Sequence, residues 1–282
     1  MKKLILASAV CLFLFTALTS MIAQKKAAIT HPTVNKIVST VSSTDSSADL
    51  TLLIDSLYSS MHLSDAGLNR DVFLNAFKGY EYFVAENALN KPGLLTICDF
   101  SQPSSKKRLY VLDLNAGKIL FNTYVAHGRN SGNDYATSFS NSDESHKSCL
   151  GFMITAETYN GDNGYSMRLD GQENGFNNNV RPRAIVMHGS AYVNRERALN
   201  GTMMGRSWGC PAVPAAEVHS IIDCIKGGSC FFNYYPDKLY TKASAILNSN
   251  FVWPVAHSLQ TATAKIKDTM SAFTGSVSNL MN

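Results

Sequence analysis

The sequence predicts a mainly β protein: a sandwich or barrel of short strands, with α-helical additions at both ends. Three observations predict it. From Leu94 to Tyr234, short apolar runs alternate with clusters of Gly, Asn, Asp and Ser, the punctuation of strands and turns. Ahead of that stretch, two segments carry apolar residues at steps of three and four. Near the C-terminus, Ile266, Met270, Phe273, Val277 and Leu280 repeat that helical spacing. With 282 residues, 45% of them hydrophobic, the chain can bury one sizeable core.

Residues 1–23 read as an export signal. Lys2 and Lys3 open it, Leu4 to Leu18 is apolar apart from Ser8 and Thr16, and Ala23 precedes Gln24 as the cleavage point. The other reading is an uncleaved anchor, but the run is short for a membrane span. Cys11 lies inside the apolar run and not after it, which argues against a lipidation site. Export without stable membrane insertion after cleavage is therefore expected. Residues 24–48 read as a flexible linker, since seven of the nine residues from Ser39 to Ser47 are Ser or Thr.

Residues 49–91 read as a helical hairpin. Leu50, Leu53, Ile54, Leu57, Tyr58 and Met61 mark the first helix; Val72, Phe73, Phe77, Tyr80 and Val84 mark the second. Gly67 and Asn69 separate them. Residues 92–236 form the expected β domain. Its strands are Leu94–Phe100, Arg108–Leu114, Ile119–Ala126, Gly151–Thr155, Tyr165–Asp170, Arg183–His188 and Ser229–Tyr234. The long segment from His127 to Ser148 is either a flap over a groove or a loose surface loop. Pro214 precedes a helix over Ala215–Lys226, buried through Val218, Ile221, Ile222 and Ile225. Residues 237–282 form a C-terminal extension ending in the amphipathic stripe, whose polar face is not basic.

Formal net charge is +4, and loss of Lys2 and Lys3 leaves 23 basic against 21 acidic residues. No basic run stands out, so nucleic acid is not an expected partner. Six cysteines are present, and removing Cys11 with the signal leaves five. An odd number leaves at least one thiol unpaired in the monomer, in a compartment where thiols are oxidised. Cys210 is the candidate for a thiol that is used. Cys210, His219, Cys224 and Cys230 have the atoms for zinc, but their spacing is irregular and no Cys-x-x-Cys knuckle is present, so no metal is expected. A Cys224–Cys230 disulfide is open on sequence alone.

His188 and Cys210, 22 positions apart, carry the chemistry. A thiol is a weak nucleophile until it loses its proton, and a nearby imidazole can take it. His188 ends the apolar run Ala184-Ile185-Val186-Met187, which would hold its ring on a rigid element. Gly189 permits close approach, and Ser190 can orient the ring or touch substrate. Gly209 places Cys210 in a tight turn whose N–H groups can stabilise an oxyanion. Each residue alone has a plainer reading, the cysteine as a small core residue and the histidine as structural.

His188-Gly189-Ser190 with Arg206-Ser207-Trp208-Gly209-Cys210 resembles the catalytic signature of the L,D-transpeptidases, the YkuD-type enzymes of bacterial cell walls. The segments Tyr124–Gly132, Tyr135–Asn141 and Leu169-Asp170-Gly171 are similar to one branch of that family, found mostly in Gram-negative bacteria. The resemblance runs from about Pro92 to Tyr235 and implies a β-sandwich catalytic domain. It implies His188 as general base, Cys210 as nucleophile, and Gly189 or Ser190 holding the ring. Gly209 and Cys210 would frame the oxyanion site, and Arg206, Ser207 and Trp208 would meet the substrate, with Arg181 and Arg183 as further candidates for its carboxylates. No cofactor is implied. The partner implied is a peptidoglycan stem peptide, and the place is the periplasm or cell wall.

Three departures bear on selectivity. Trp208 stands where the family commonly has a second His, Pro211-Ala212 follows the cysteine, and the His-to-Cys gap is a few residues longer. Hydrolysis on the same fold and a non-catalytic peptidoglycan-binding module are the alternatives. Papain-like peptidases place the cysteine before the histidine, the reverse of the order here.

Overall fold

A computed structural model describes residues 46–249. The expected signal segment, most of the expected linker and the stripe from Ile266 to Leu280 lie outside the described residues. The mainly β architecture is present as one mixed sheet of eight strands with short helices.

Two helices come first, α1 (Ser46–Ser60) and α2 (Arg70–Ala85). Asn69 caps α2, its side-chain oxygen accepting the Asp71 N–H at 2.8 Å. This satisfies one of the donors that a helix start leaves free. Ile54, Phe73, Phe77 and Phe83 turn toward the sheet and are buried there. Gly79 is the point of closest approach. A Cβ on it would lie 2.0 Å from the ring of Phe152, which is itself stacked on Phe232 at 4.0 Å.

The strands are β1 (Leu94–Asp99), β2 (Leu109–Asp113), β3 (Lys118–Thr123), β4 (Gly151–Gly161), β5 (Gly164–Gly171), β6 (Val186–Ser190), β7 (Ala212–Pro214) and β8 (Cys230–Tyr234). Their order across the sheet is β3-β2-β1-β8-β4-β5-β6-β7, with β1–β8 and β6–β7 parallel and the other pairs antiparallel. Side-chain alternation divides the strands between two cores. Leu95, Ile97, Tyr110, Leu112, Phe152 and Phe232 meet the helical hairpin. Cys98, Leu109, Val111, Met153, Met167, Met187, Val213 and Phe231 share a second core with α4 (Val218–Ile225). Because β2 and β7 both feed that second core, the sheet bends around it. The chain leaving β3 then reaches β7, and the Ala126 N–H donates to the Ala212 carbonyl at 2.8 Å.

Some boundaries differ from expectation for local reasons. β4 continues to Gly161, past a register shift between Thr155 and Thr158, and turns into β5 at Gly164. β6 begins at Val186 and not at Arg183, since Ala184 sits at φ +51°, outside the extended region. α4 begins at Val218, three residues later than expected, with the four expected apolar residues buried. β7, α3 (Arg195–Leu199) and α5 (Lys238–Ala243) are too short to impose a period on the sequence. Among the described residues no helix is long and apolar enough to cross a membrane.

Candidate active site

β6 delivers His188. Met187 enters the second core, so His188 projects from the opposite face of the strand, where it is 4% exposed. Its Nδ1 lies 3.0 Å from the Gly189 carbonyl oxygen. A carbonyl only accepts, so Nδ1 carries the proton and Nε2 keeps its lone pair. Gly189, through its backbone, therefore holds the ring. Ser190 does not; among the described residues the ring's hydrogen bond is to Gly189 alone. Gly189 also lets α4 approach, since a Cβ there would lie 2.8 Å from Val218 Cγ1.

The turn Ser207–Cys210 sits against the start of β6. Cys210 is half-buried, and its Sγ accepts the Val186 N–H at 3.4 Å. Two residues on, Ala212 is the register partner of His188 in the parallel β6–β7 pair. Gly209 has φ +122°, and a Cβ there would lie 2.7 Å from the Lys147 carbonyl oxygen and 2.8 Å from Ile185 Cδ1. Only glycine fits both the angle and the space. Ser207 is buried, accepts the Gly209 N–H at 3.1 Å and donates to the Cys210 carbonyl at 2.6 Å. It holds the turn, and in this arrangement the Gly209 N–H is occupied.

Burial sets the protonation of the pair. It pushes the Cys210 thiol above its ordinary value, against the opposing pull of the Val186 N–H and the nearby Arg183 charge. It holds the His188 imidazole below its ordinary value, partly offset by the bond to Gly189. Both effects favour a neutral thiol and a neutral imidazole.

The remaining predicted residues separate. Trp208 is 66% exposed, with its ring stacked on His146 at 4.8 Å and the Arg129 guanidinium 5.8 Å from it. With Asp143, Glu144, His146, Arg183 and Ile185 it lines an open groove of about 440 Å³. Arg206 reaches away, donating to the carbonyls of Arg129 and Gly132, both at 2.9 Å. Arg183 ties down the 127–148 segment through the carbonyls of Ser140 and Lys147, both at 2.8 Å. Arg181 is engaged by Glu157 and Asp170.

The 127–148 segment is pinned, not loose. The Gly128 N–H donates to Ser148 Oγ at 3.0 Å, the Ser148 N–H to Ser131 Oγ at 2.9 Å, and Ser148 Oγ to the Gly209 carbonyl at 3.1 Å. Behind it, Arg108 is fully buried. Its guanidinium donates to the Val125 and Gln102 carbonyls and lies 2.7 Å from His127 Nδ1. The His127 carbonyl in turn accepts the Ser207 N–H at 3.0 Å, linking this buried cation to the cysteine turn. Ser148 and Arg108 escaped the sequence reading, because single polar residues leave no periodic trace.

Cys98, Cys149 and Cys230 are buried, and all five described cysteines are unpaired, Cys224 and Cys230 included. His219 stacks on Tyr165 at 4.6 Å. Among the described residues no group of three or more His, Cys, Asp or Glu is arranged to hold a metal ion.

The mixed sheet thus presents a buried histidine on β6 and a glycine-cysteine turn against the start of the same strand. The L,D-transpeptidase catalytic domain family matches residues 64–234, and the chain belongs to that family. The matched region includes α2. No curated protein matches the chain. Similar solved structures include an L,D-transpeptidase from Mycobacterium smegmatis, 10% identical, covering 51% of this chain and 59% of that one at a TM-score of 0.32. The helical cell shape determining protein Pgp2 from Campylobacter jejuni is 16% identical, with 57% of each chain covered and a TM-score of 0.30. The L,D-transpeptidase from Xylanimonas cellulosilytica is 16% identical, with 50% of this chain and 60% of that one covered and a TM-score of 0.29. The chain thus spans under two thirds of the length of these proteins.

Proposed function

We propose that the protein is an exported, cysteine-dependent peptidoglycan L,D-transpeptidase acting in the periplasm or cell wall. The observation that carries the reading is the seating of Cys210 against β6, upstream of a His188 whose Nδ1 is fixed by Gly189. His188 Nε2 takes the thiol proton as Sγ attacks the carbonyl carbon of a stem peptide. The carbonyl electron pair moves to oxygen and returns as the C–N bond breaks. The departing amine, usually that of a terminal D-Ala, leaves with the proton from His188. The resulting thioester is opened by the side-chain amine of a second stem, with His188 again accepting a proton. Trp208 and the groove beside it supply the wall against which the stem lies.

Mass spectrometry of muropeptides incubated with the enzyme tests the reading. Cross-linked dimers are expected from the wild type, trimmed monomers would mean hydrolysis, and unchanged muropeptides would mean a binding module. Cys210→Ala is expected to abolish the covalent adduct with a carbapenem. A stoichiometric adduct in that variant would remove Cys210 from the reaction.

A further inference from the structure

Attack on a carbonyl puts negative charge on its oxygen, and that charge needs a hydrogen-bond donor held in place beforehand. Between the Gly209 N–H and the Cys210 carbonyl the backbone carries two donors and two acceptors, and all but one are engaged. The Gly209 N–H donates to Ser207 Oγ at 3.1 Å. The Gly209 carbonyl accepts from Ser148 Oγ at 3.1 Å, and the Cys210 carbonyl accepts from Ser207 Oγ at 2.6 Å. The Cys210 N–H is the exception, bonded to no other described residue. It belongs to the residue that carries the sulfur. A carbonyl carbon bonded to Sγ therefore brings its oxygen near this N–H without movement of the chain.

What aims that N–H comes from outside the motif. The peptide joining Gly209 to Cys210 is planar and trans, so its C=O and N–H point in opposite directions. Whatever fixes the carbonyl also fixes the N–H. Gly209, with no Cβ, leaves the plane of this peptide free to turn unless a partner holds it. Ser148 is that partner, and it is fully buried. Its hydroxyl has a single proton. The Gly128 N–H donates to the hydroxyl oxygen at 3.0 Å, and the proton goes to the Gly209 carbonyl. The Ser148 N–H donates to Ser131 Oγ at 2.9 Å, which anchors the backbone behind the hydroxyl. Gly128 permits this close approach, since a Cβ there would lie 2.8 Å from the Ser148 nitrogen.

We propose that Ser148 is a positioning residue for the nucleophile's own peptide: by holding the Gly209 carbonyl, it aims the Cys210 N–H at the oxyanion. The inference rests on Cys210 being the acylated nucleophile, as proposed above. As the Sγ–C bond forms and the carbonyl π pair moves to oxygen, the Cys210 N–H donates to that oxygen and keeps its proton. The pair returns as the C–N bond breaks, and the leaving amine takes the thiol proton from His188. Ser148 touches neither the substrate nor the reacting atoms. Its contribution is the orientation of one peptide plane.

Ser148→Thr and Ser148→Val introduce side chains of the same shape, so any crowding is common to both and only the hydroxyl differs. Two reactions at Cys210 are followed by mass spectrometry in the full chain: acylation by a carbapenem, which passes through an oxyanion, and alkylation by iodoacetamide, which does not. The Val variant is expected to acylate about 10²-fold more slowly than the Thr variant, with their alkylation rates alike. Equal acylation in the two variants overturns the proposal, as does an equal loss in both reactions. A crystal structure of the wild-type carbapenem adduct tests it without any substitution. The Ser148 hydroxyl is expected on the Gly209 carbonyl and the acyl oxygen on the Cys210 N–H; an acyl oxygen held by other donors overturns the proposal. A wild-type enzyme that is alkylated at Cys210 but forms no acyl adduct sinks the transpeptidase reading itself, an outcome distinct from the others.

Discussion

His188 Nδ1 is bonded to the carbonyl of the next residue, Gly189, at 3.0 Å. The imidazole is thus oriented by the strand that carries it, and among the described residues no carboxylate bonds to it. A backbone carbonyl fixes the tautomer without adding the charge that would raise the imidazole's basicity.

The pH profile follows from that arrangement. Burial holds His188 below its ordinary value, so the neutral, competent imidazole persists as pH falls. The acidic limb of kcat/KM is expected below the ordinary histidine value of about 6.5. An acidic limb at or above that value contradicts the assignment. His188→Ala is expected to slow acylation by about 10²–10⁴-fold.

Trp208 is two-thirds exposed, so Trp208→Ala should alter stability by less than about 0.5 kcal/mol. Its effect should fall on substrates that reach the groove, with kcat/KM for stem peptides lowered about tenfold. Thermal unfolding and steady-state kinetics separate the two. A large drop in Tm with unaltered kinetics would make Trp208 a packing residue.

Gly79→Ala sets two effects in opposition. Alanine favours a helix by about 0.8–1.0 kcal/mol over glycine. Against this, its Cβ would stand 2.0 Å from Phe152, a ring held by Phe232. Overpacking of this kind costs about 1–3 kcal/mol, so urea unfolding should show a net loss of stability. A more stable variant would mean that α2 sits further from the sheet.

His127 gives the fold its own pH dependence. It is fully buried, and burial with the Arg108 charge lowers it to about 4. In the unfolded chain it binds a proton near its ordinary value of about 6.5. Stability is therefore full above about 6.5 and declines as pH falls toward about 4, by at most roughly 3 kcal/mol. His127→Asn retains an acceptor for Arg108 without a titrating ring. Its urea midpoints should fall less steeply over that interval than those of the wild type; parallel curves would assign the dependence to other groups.

Legibility in the sequence followed the length over which a pattern repeats. The stripes of α2 and α4 and the alternation of β1 and β2 each span several residues, and each gave a recognisable element. β7 has three residues, one of them Pro214, and shows no alternation, though it joins the cysteine turn to β6. The His188–Cys210 pair was legible because it lies in a motif. The roles around it were not, because Ser207, Arg206 and Arg183 look like surface contacts in a string of letters. In three dimensions Ser207 braces the turn, while the two arginines grip carbonyls of the 127–148 segment. Charge and polarity identify a residue type, but only the fold decides whether its partner is backbone or solvent.

The Ala126–Ala212 bond has a consequence beyond the site. β7 ends the sheet, and an unpaired terminal strand is a template onto which another chain can add. Here the segment leaving β3 occupies part of that margin, while Pro214 contributes no N–H to the remainder. The strand beside Cys210 is thereby shielded from edge-to-edge association, so crowding would not recruit it into aggregates.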